Sequence, residues 1–431
     1  MKLLPRFLLL ITASLSLRAG TLLLQHGTLV PVSGPIRTNA SVFIRDGRIE
    51  AVGSTPTAAD RVVDLQGLRV YPGLISPTTV LGLLEIDALR QSRDTTEVGQ
   101  FAPDVAAWIA VNPDSELIPV ARANGYTHVQ VVPLGGTISG VSAVIRLRGW
   151  TIEDLAVKKL AALHLRWPSF QLDTTPKELA GSPDSWKSIE DQVKERDKEL
   201  HRLDEFFSQA LAYSEARKGS GAASTSPVPA WEAMIPFVRR ELPLWIHADE
   251  ARQIRSAVEW LARRKFRGVI AGGRDAWREA SLLATNGVAV AFEHVFTQPV
   301  RDVDAYDTQF SAPAVLSRAG VPVAFTEGTD RFGASSIRNA PYAAAQARTF
   351  GLSPEEAIRG LTLYPARMLG LEDQLGTIEV GKEASLIAVD GDLLDIRATV
   401  RRMWIAGEEM DLSSRHTRLH DRYRGRPLPK K

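Results

Sequence analysis

The chain has 431 residues, of which 44% are hydrophobic and 24% charged, with a formal net charge of +2. That length allows one large domain plus a smaller one, and the near-neutral balance gives no global field that would point to nucleic acid. There is no cysteine, which excludes a disulfide framework, a thiolate nucleophile and a zinc–thiolate site.

At the start, Lys2 and Arg6 precede an apolar run from Phe7 to Leu17 and the small residues Ala19 and Gly20. This is the layout of a secretory signal peptide over residues 1–19, and the run is too short to span a bilayer. The expectation is export, to the periplasm or outside the cell. No later run is apolar for ~18 residues, so no transmembrane segment is expected in the mature chain.

Residues 20–70 read as short strands. They include a hairpin around Asp46-Gly47, the dipeptide that tight antiparallel turns prefer, and further strands on either side of Gly67. After Pro72 the pattern changes. Apolar runs at Thr127–Pro133, Pro243–Ala248, Phe266–Gly273, Gly287–Val295 and Gly320–Gly328 have the continuous hydrophobicity of buried parallel strands. Amphipathic helices such as Glu250–Lys265 and Arg274–Gly287 lie between them. Repeated βα units over residues 71–373 predict an α/β fold, a (β/α)8 barrel of the TIM type.

A helical insertion is expected near residues 181–226, with Val193, Leu200, Leu203 and Phe207 on one face, followed by a flexible loop at Lys218–Ser226. Strand-type sequence returns over residues 374–411, so the two ends of the chain are expected to build one composite β-sandwich. Residues 412–431 carry seven Lys or Arg against Asp421 and read as a solvated basic tail.

Two long segments carry a family resemblance. "IRDGRIEAVG" followed by "VVDLQGLRVYPGLI" is similar to the entry from the β-sandwich into the first barrel strand in the amidohydrolase superfamily, in its imidazolonepropionase-like branch. Leu361–Asp392 is similar to the same family's exit, with Tyr364 in place of the usual Asn and Ser385 in place of the usual Asp. The resemblance implies metal-assisted hydrolysis of a non-peptide C–N bond in an amide or cyclic amide. A divalent metal such as zinc, held at the C-terminal ends of the strands, would activate water. It implies a small-molecule substrate and allows a homo-oligomer.

The donors that this chemistry needs are only partly present. Where the family has Asp-x-His-x-His after Pro-Gly-Leu-Ile, this chain has Ser76, Thr78 and Val80, and no histidine occurs between His26 and His128. Strand five keeps His247, with Glu250 three residues on, as in the family's His-Ala-Asp-Glu run. There the His binds metal and the Glu contacts the reacting centre. Gly272-Gly273 stand where strand six often has His-Gly. Strand eight offers Glu327 and Asp330 for the usual Asp.

The candidate catalytic residues are therefore His247, Glu250, Glu327 and Asp330, with His247 also the single metal-ligand candidate. His294, beside Glu293 near the end of strand seven, and Arg338 and Asn339 are candidates for substrate binding. His164 follows a predicted helix, and Pro133–Gly140 reads as a glycine-rich loop. No cofactor is fixed by these residues, and a divalent metal stays open. So do three functions: a hydrolase with a reduced metal site or none, a non-catalytic barrel that binds a small molecule or a protein partner, and an isomerase or lyase using the retained acid–base groups.

Overall fold

The computed structural model describes residues 20–53, 58–218, 226–330 and 332–427. The predicted signal peptide and most of the predicted Lys218–Ser226 loop lie outside the described residues. Strands β1 (Thr21–Leu29), β2 (Arg37–Arg45), β3 (Arg48–Gly53), β4 (Arg61–Asp64) and β5 (Arg69–Pro72) open the chain. Asp46 and Gly47 both take positive φ, 49° and 75°, which is what a two-residue turn between β2 and β3 requires.

Eight strands then form the larger sheet in chain order: β6 (Leu74–Thr79), β7 (Tyr126–Val131), β8 (Ile138–Arg146), β9 (Ala156–Arg166), β10 (Leu244–Ala248), β11 (Gly268–Gly272), β12 (Ala289–Phe292) and β13 (Val323–Phe325). Strands β14 (Leu386–Val389), β15 (Val400–Ile405) and β16 (Glu408–Glu409) join β1–β5 in the first sheet, where β14 pairs antiparallel with β5. That first sheet therefore mixes strands from both ends of the chain.

The larger sheet is a nearly closed barrel in a mixed α/β fold. Seven of its strands run parallel; β8 runs antiparallel to both β7 and β9. The strict (β/α)8 expectation is corrected at this point. "ISGVSAVIR" is buried almost throughout and needs only a short turn to reach β7, so no crossover helix separates them. His164 is corrected with it. It lies on strand β9, and only the four-residue helix Ile152–Leu155 comes before that strand.

Alternation along the strands sorts the core into two layers. Ile75, Val144, Ala162, Trp245, Val269, Ala271, Ala291 and Ala324 share a cluster with Met368, Leu369, Leu371 and Leu375, which plug the N-terminal end of the barrel. Leu244, Ile246, Ile270 and Val290 point the other way, into the layer covered by helices. The interior positions nearer the C-terminal ends are polar, and this leaves a mouth rather than a continuous apolar core.

The insertion belongs to the outer layer. Helix Ile189–Ala216 starts on Ser188, whose side chain accepts from the Asp191 N–H, and buries Leu203, Phe207, Ala210 and Ser214. Phe207 packs on Trp260 at 5.0 Å between ring centroids and on Phe266 at 5.5 Å. Trp260 Nε1 donates to Asp204 Oδ1 at 2.8 Å. The predicted basic tail contains an exposed helix, Arg415–Arg424. Phe207→Ala is expected to cost about 3–5 kcal/mol in urea unfolding, the range for emptying a buried aromatic site. A loss below about 1 kcal/mol would mean that the insertion is an appendage rather than a barrel layer.

Candidate active site

The C-terminal ends of the barrel strands bring together Thr78, Arg166, His247 and, just past β12 and β13, Glu293 and Thr326. Strand register places Arg166 directly beside His247. The Thr326 hydroxyl donates to the Thr78 carbonyl at 2.8 Å, which uses its one proton. The Thr78 hydroxyl is then the donor, to Thr326 Oγ1 at 2.9 Å and more distantly to Glu293 Oε1 at 3.4 Å.

His247 is half-buried at the end of β10. Its Nε2 lies 3.0 Å from Nδ1 of His164, which is wholly buried. Behind His164, its Nε2 is 3.3 Å from Gln130 Nε2, and Gln130 is 2.6 Å from Ser142 Oγ. Burial, with the Arg166 charge acting the same way, pushes the His247 imidazole down to about 3. His164 is driven well below the usual range by burial, then by His247 and Arg166. Both rings are neutral at physiological pH.

Asp249 and His294 form a second pair, with Nε2 and Oδ1 2.7 Å apart. Burial works to raise the Asp249 carboxyl, but the bond and charge of His294, aided by Arg274, outweigh it and hold the group below its ordinary value. Gly272, at φ +95°, is required here: a Cβ would sit 2.6 Å from Asp249 Oδ1. Gly328 does the same for Glu293, since a Cβ there would sit 2.5 Å from Oε2.

Glu293 itself is raised to about 7. Burial is the main cause and Asp249 adds to it, against the opposing pull of His294, Arg166 and the Thr78 hydroxyl. Glu327 is also raised to about 7, by burial and then by Asp330 and Glu293.

The other residues singled out in the sequence stand further from this group. Glu250 is the N-cap of helix Ala251–Arg264, and its Oε1 accepts from Ser169 Oγ at 2.6 Å and from the Gln171 N–H at 3.0 Å. Asp330 is exposed and accepts from the Phe332 N–H at 2.8 Å. Arg338 and Asn339 lie on a 3-10 turn before helix Ala340–Thr349, and no hydrogen bond ties either side chain to the mouth residues. The turn after β7 reaches the insertion: Thr137 Oγ1 donates to Glu199 Oε1 at 2.8 Å, while the Thr137 carbonyl accepts from Arg166 N–H.

Asp249, Glu293 and Arg166 carry much of the site's charge, and sequence reasoning gave them no role. Their signal was period two. Asp249 follows His247, Arg166 follows His164, and Glu293 follows Ala291, each by two residues along an alternating strand.

The donors present do not fit a metal ion. Val80 is buried and carries no donor, the Thr78 hydroxyl is committed to Thr326, and the His247 ring, its Nε2 engaged by His164, offers only Nδ1. Among the described residues no three His, Asp or Glu side chains come together as a ligand set.

A carboxyl whose folded-state value lies above its unfolded one contributes stability below the unfolded value and loses it as pH rises through the folded one. Glu293 and Glu327 therefore make the fold lose stability between roughly pH 4.5 and pH 7. Glu293→Gln removes one share, so its melting temperature is expected to fall less between pH 5 and pH 8 than the parent's. An equal fall in both proteins would place Glu293 in water rather than in a desolvated site.

Comparison with known proteins agrees with this architecture. The signature of the amidohydrolase family matches residues 282–410. An imidazolonepropionase of Caldanaerobacter subterraneus is 23% identical over 393 residues, covering 83% of this chain and 85% of that protein. An imidazolonepropionase of Pseudomonas putida is 25% identical over 375 residues, covering 81% and 87%. The crystal structure of an amidohydrolase from Thermotoga maritima superposes with a TM-score of 0.77 at 25% identity, covering 90% of this chain and 99% of that one. An adenosine deaminase from Xanthomonas campestris, solved with bound zinc, shares the fold at a TM-score of 0.51 and 19% identity, over 94% and 98% of the two chains. The chain is a member of the amidohydrolase superfamily, in its imidazolonepropionase-like branch.

Proposed function

We propose that this protein is an exported hydrolase of non-peptide C–N bonds, in amides or cyclic amides, working from a carboxyl–imidazole site. The family supports a hydrolase with a small-molecule substrate; the bond class is our reading of the mouth. The observation that carries it is Glu293. It is desolvated at the C-terminal end of the barrel, is raised to about 7, and feels the charge of Arg166, whose strand neighbour is the neutral imidazole of His247. A carboxyl near half-ionisation at neutral pH suits both halves of amide hydrolysis. As carboxylate it takes a proton from the attacking water; as acid it gives one to the leaving nitrogen. His247 and Arg166 stand where a carbonyl oxygen gathering negative charge would be stabilised.

Export rests on the leader-like residues 1–19. The joining of β14 to β5 supports reading the two chain ends as one composite β-sandwich beside the barrel. Holding two carboxyls in a site that raises both costs stability, and such groups concentrate where acid–base work is done. This weighs against a barrel that only binds.

The test is a panel of cyclic amides, N-acyl amino acids and simple amides, with products read by mass spectrometry. Glu293→Gln is expected to lower kcat/KM at least about 100-fold on any substrate that is turned over. Added zinc or manganese is expected to leave the melting temperature unchanged. Turnover that survives Glu293→Gln removes Glu293 from the chemistry. Metal-dependent stabilisation would restore a metal mechanism, and binding without turnover would leave a non-catalytic barrel.

A further inference from the structure

We infer that His247 is a hydrogen-bond donor of fixed tautomer, aimed at the oxygen of the substrate's carbonyl, and that His164 and Gln130 are the positioning residues that hold it so. The inference rests on the hydrolase reading for its substrate, but its geometry stands apart from any activity.

The starting point is Ser142. Its hydroxyl donates to the Ala162 carbonyl at 3.2 Å, so toward Gln130 it can only accept. The nitrogen of the Gln130 amide therefore faces Ser142, and the same nitrogen faces His164 Nε2 at 3.3 Å. The opposite amide orientation would leave two buried N–H groups without partners and pull Ser142 from Ala162. The orientation adopted leaves only the Gln130 carbonyl oxygen unpaired.

Gln130 donates to Nε2 of His164, so that nitrogen carries no proton. A ring that accepts at Nε2 holds its proton on Nδ1, so His164 Nδ1 donates to His247 Nε2 at 3.0 Å. His247 thus accepts at Nε2, and by the same exclusion its own proton is on Nδ1. That atom makes no hydrogen bond to a described residue and is not sealed from solvent. The chain Ser142–Gln130–His164 runs through buried side chains only, each less than 1% exposed, which favours a single arrangement.

The consequence is a change of role at strand five. Nε2 is occupied from behind by His164, and the ring presents an N–H on Nδ1 rather than a free lone pair. Beside it, the half-buried Arg166 side chain makes no hydrogen bond or ion pair with a described residue. An N–H and a guanidinium side by side form a donor pair suited to an oxygen that becomes negative during attack.

The experiment is nitrogen-15 NMR of the histidine rings in the full mature chain at neutral pH, with His247 assigned by its loss in His247→Gln. His247 is expected to show a protonated Nδ1 and an unprotonated Nε2, unmoved by equimolar zinc. His164→Asn, which keeps a donor near the Nδ1 position, is expected to preserve that pattern. His164→Leu is expected to lose it and give a mixture of tautomers. A protonated Nε2, a charged ring, or a zinc-induced shift of Nε2 in the parent protein overturns the inference, and so does an unchanged pattern in a folded His164→Leu. If His164→Leu fails to fold, the parent and His164→Asn spectra decide. The predicted tautomer without turnover on any amide upholds the inference while sinking the hydrolase reading, and turnover with the wrong tautomer does the reverse.

Discussion

The barrel depends on a seam that its own strands do not close. Strands β6 and β13 lie next to each other without forming a ladder. In the lower part, the segment Gly360–Leu361 slips between them: its carbonyls accept from the Ile75 N–H and the Phe325 N–H, both at 3.0 Å. In the upper part, Thr78 and Thr326 take over, hydroxyl to hydroxyl and hydroxyl to carbonyl. Unpaired backbone groups inside a barrel wall are costly, so the closure has to be made somehow. Here it is made by Thr78, which stands where the family resemblance leads one to expect a histidine, together with Thr326. The closure holds Thr326 at the mouth and puts a donor next to Glu293.

From that closed, desolvated mouth the electrostatics follow. Burial raises Glu293 and Glu327 and lowers His247, His164 and Arg166, and specific partners then separate them. Asp249 escapes because His294 sits on it at 2.7 Å. Two neighbouring carboxyls thus end in different states: Asp249 ionised, Glu293 poised near neutrality. Gly272 and Gly328 give both of them room, and a methyl group at either position would displace a carboxylate.

Much of the frame was legible in the sequence because it rests on local rules. The Asp46-Gly47 turn is dictated by two positive φ angles, and the near-continuous apolar β10 and β12 segments by burial on both faces. That Thr78 and Val80 stand where the family resemblance leads one to expect histidines was readable residue by residue. The antiparallel strand β8 was not, because "ISGVSAVIR" has the composition of a buried strand of either direction, and direction is decided by the connection and by neighbours distant in sequence. Glu250 kept the family's spacing from His247, yet its side chain is engaged by Ser169 and Gln171, which no local pattern announces.

The sequence by itself determined the alternation of strands and helices after Pro72 and the family, since these are written in hydrophobic period, turn residues and motif identity. Only the tertiary structure decided which polar groups meet. Thr78 and Thr326 are 248 residues apart, Asp249 and His294 are 45 apart, and His164 and His247 are 83 apart. Their hydrogen bonds, and the protonation states that follow, are set by burial and distance across the barrel, quantities that no linear spacing contains.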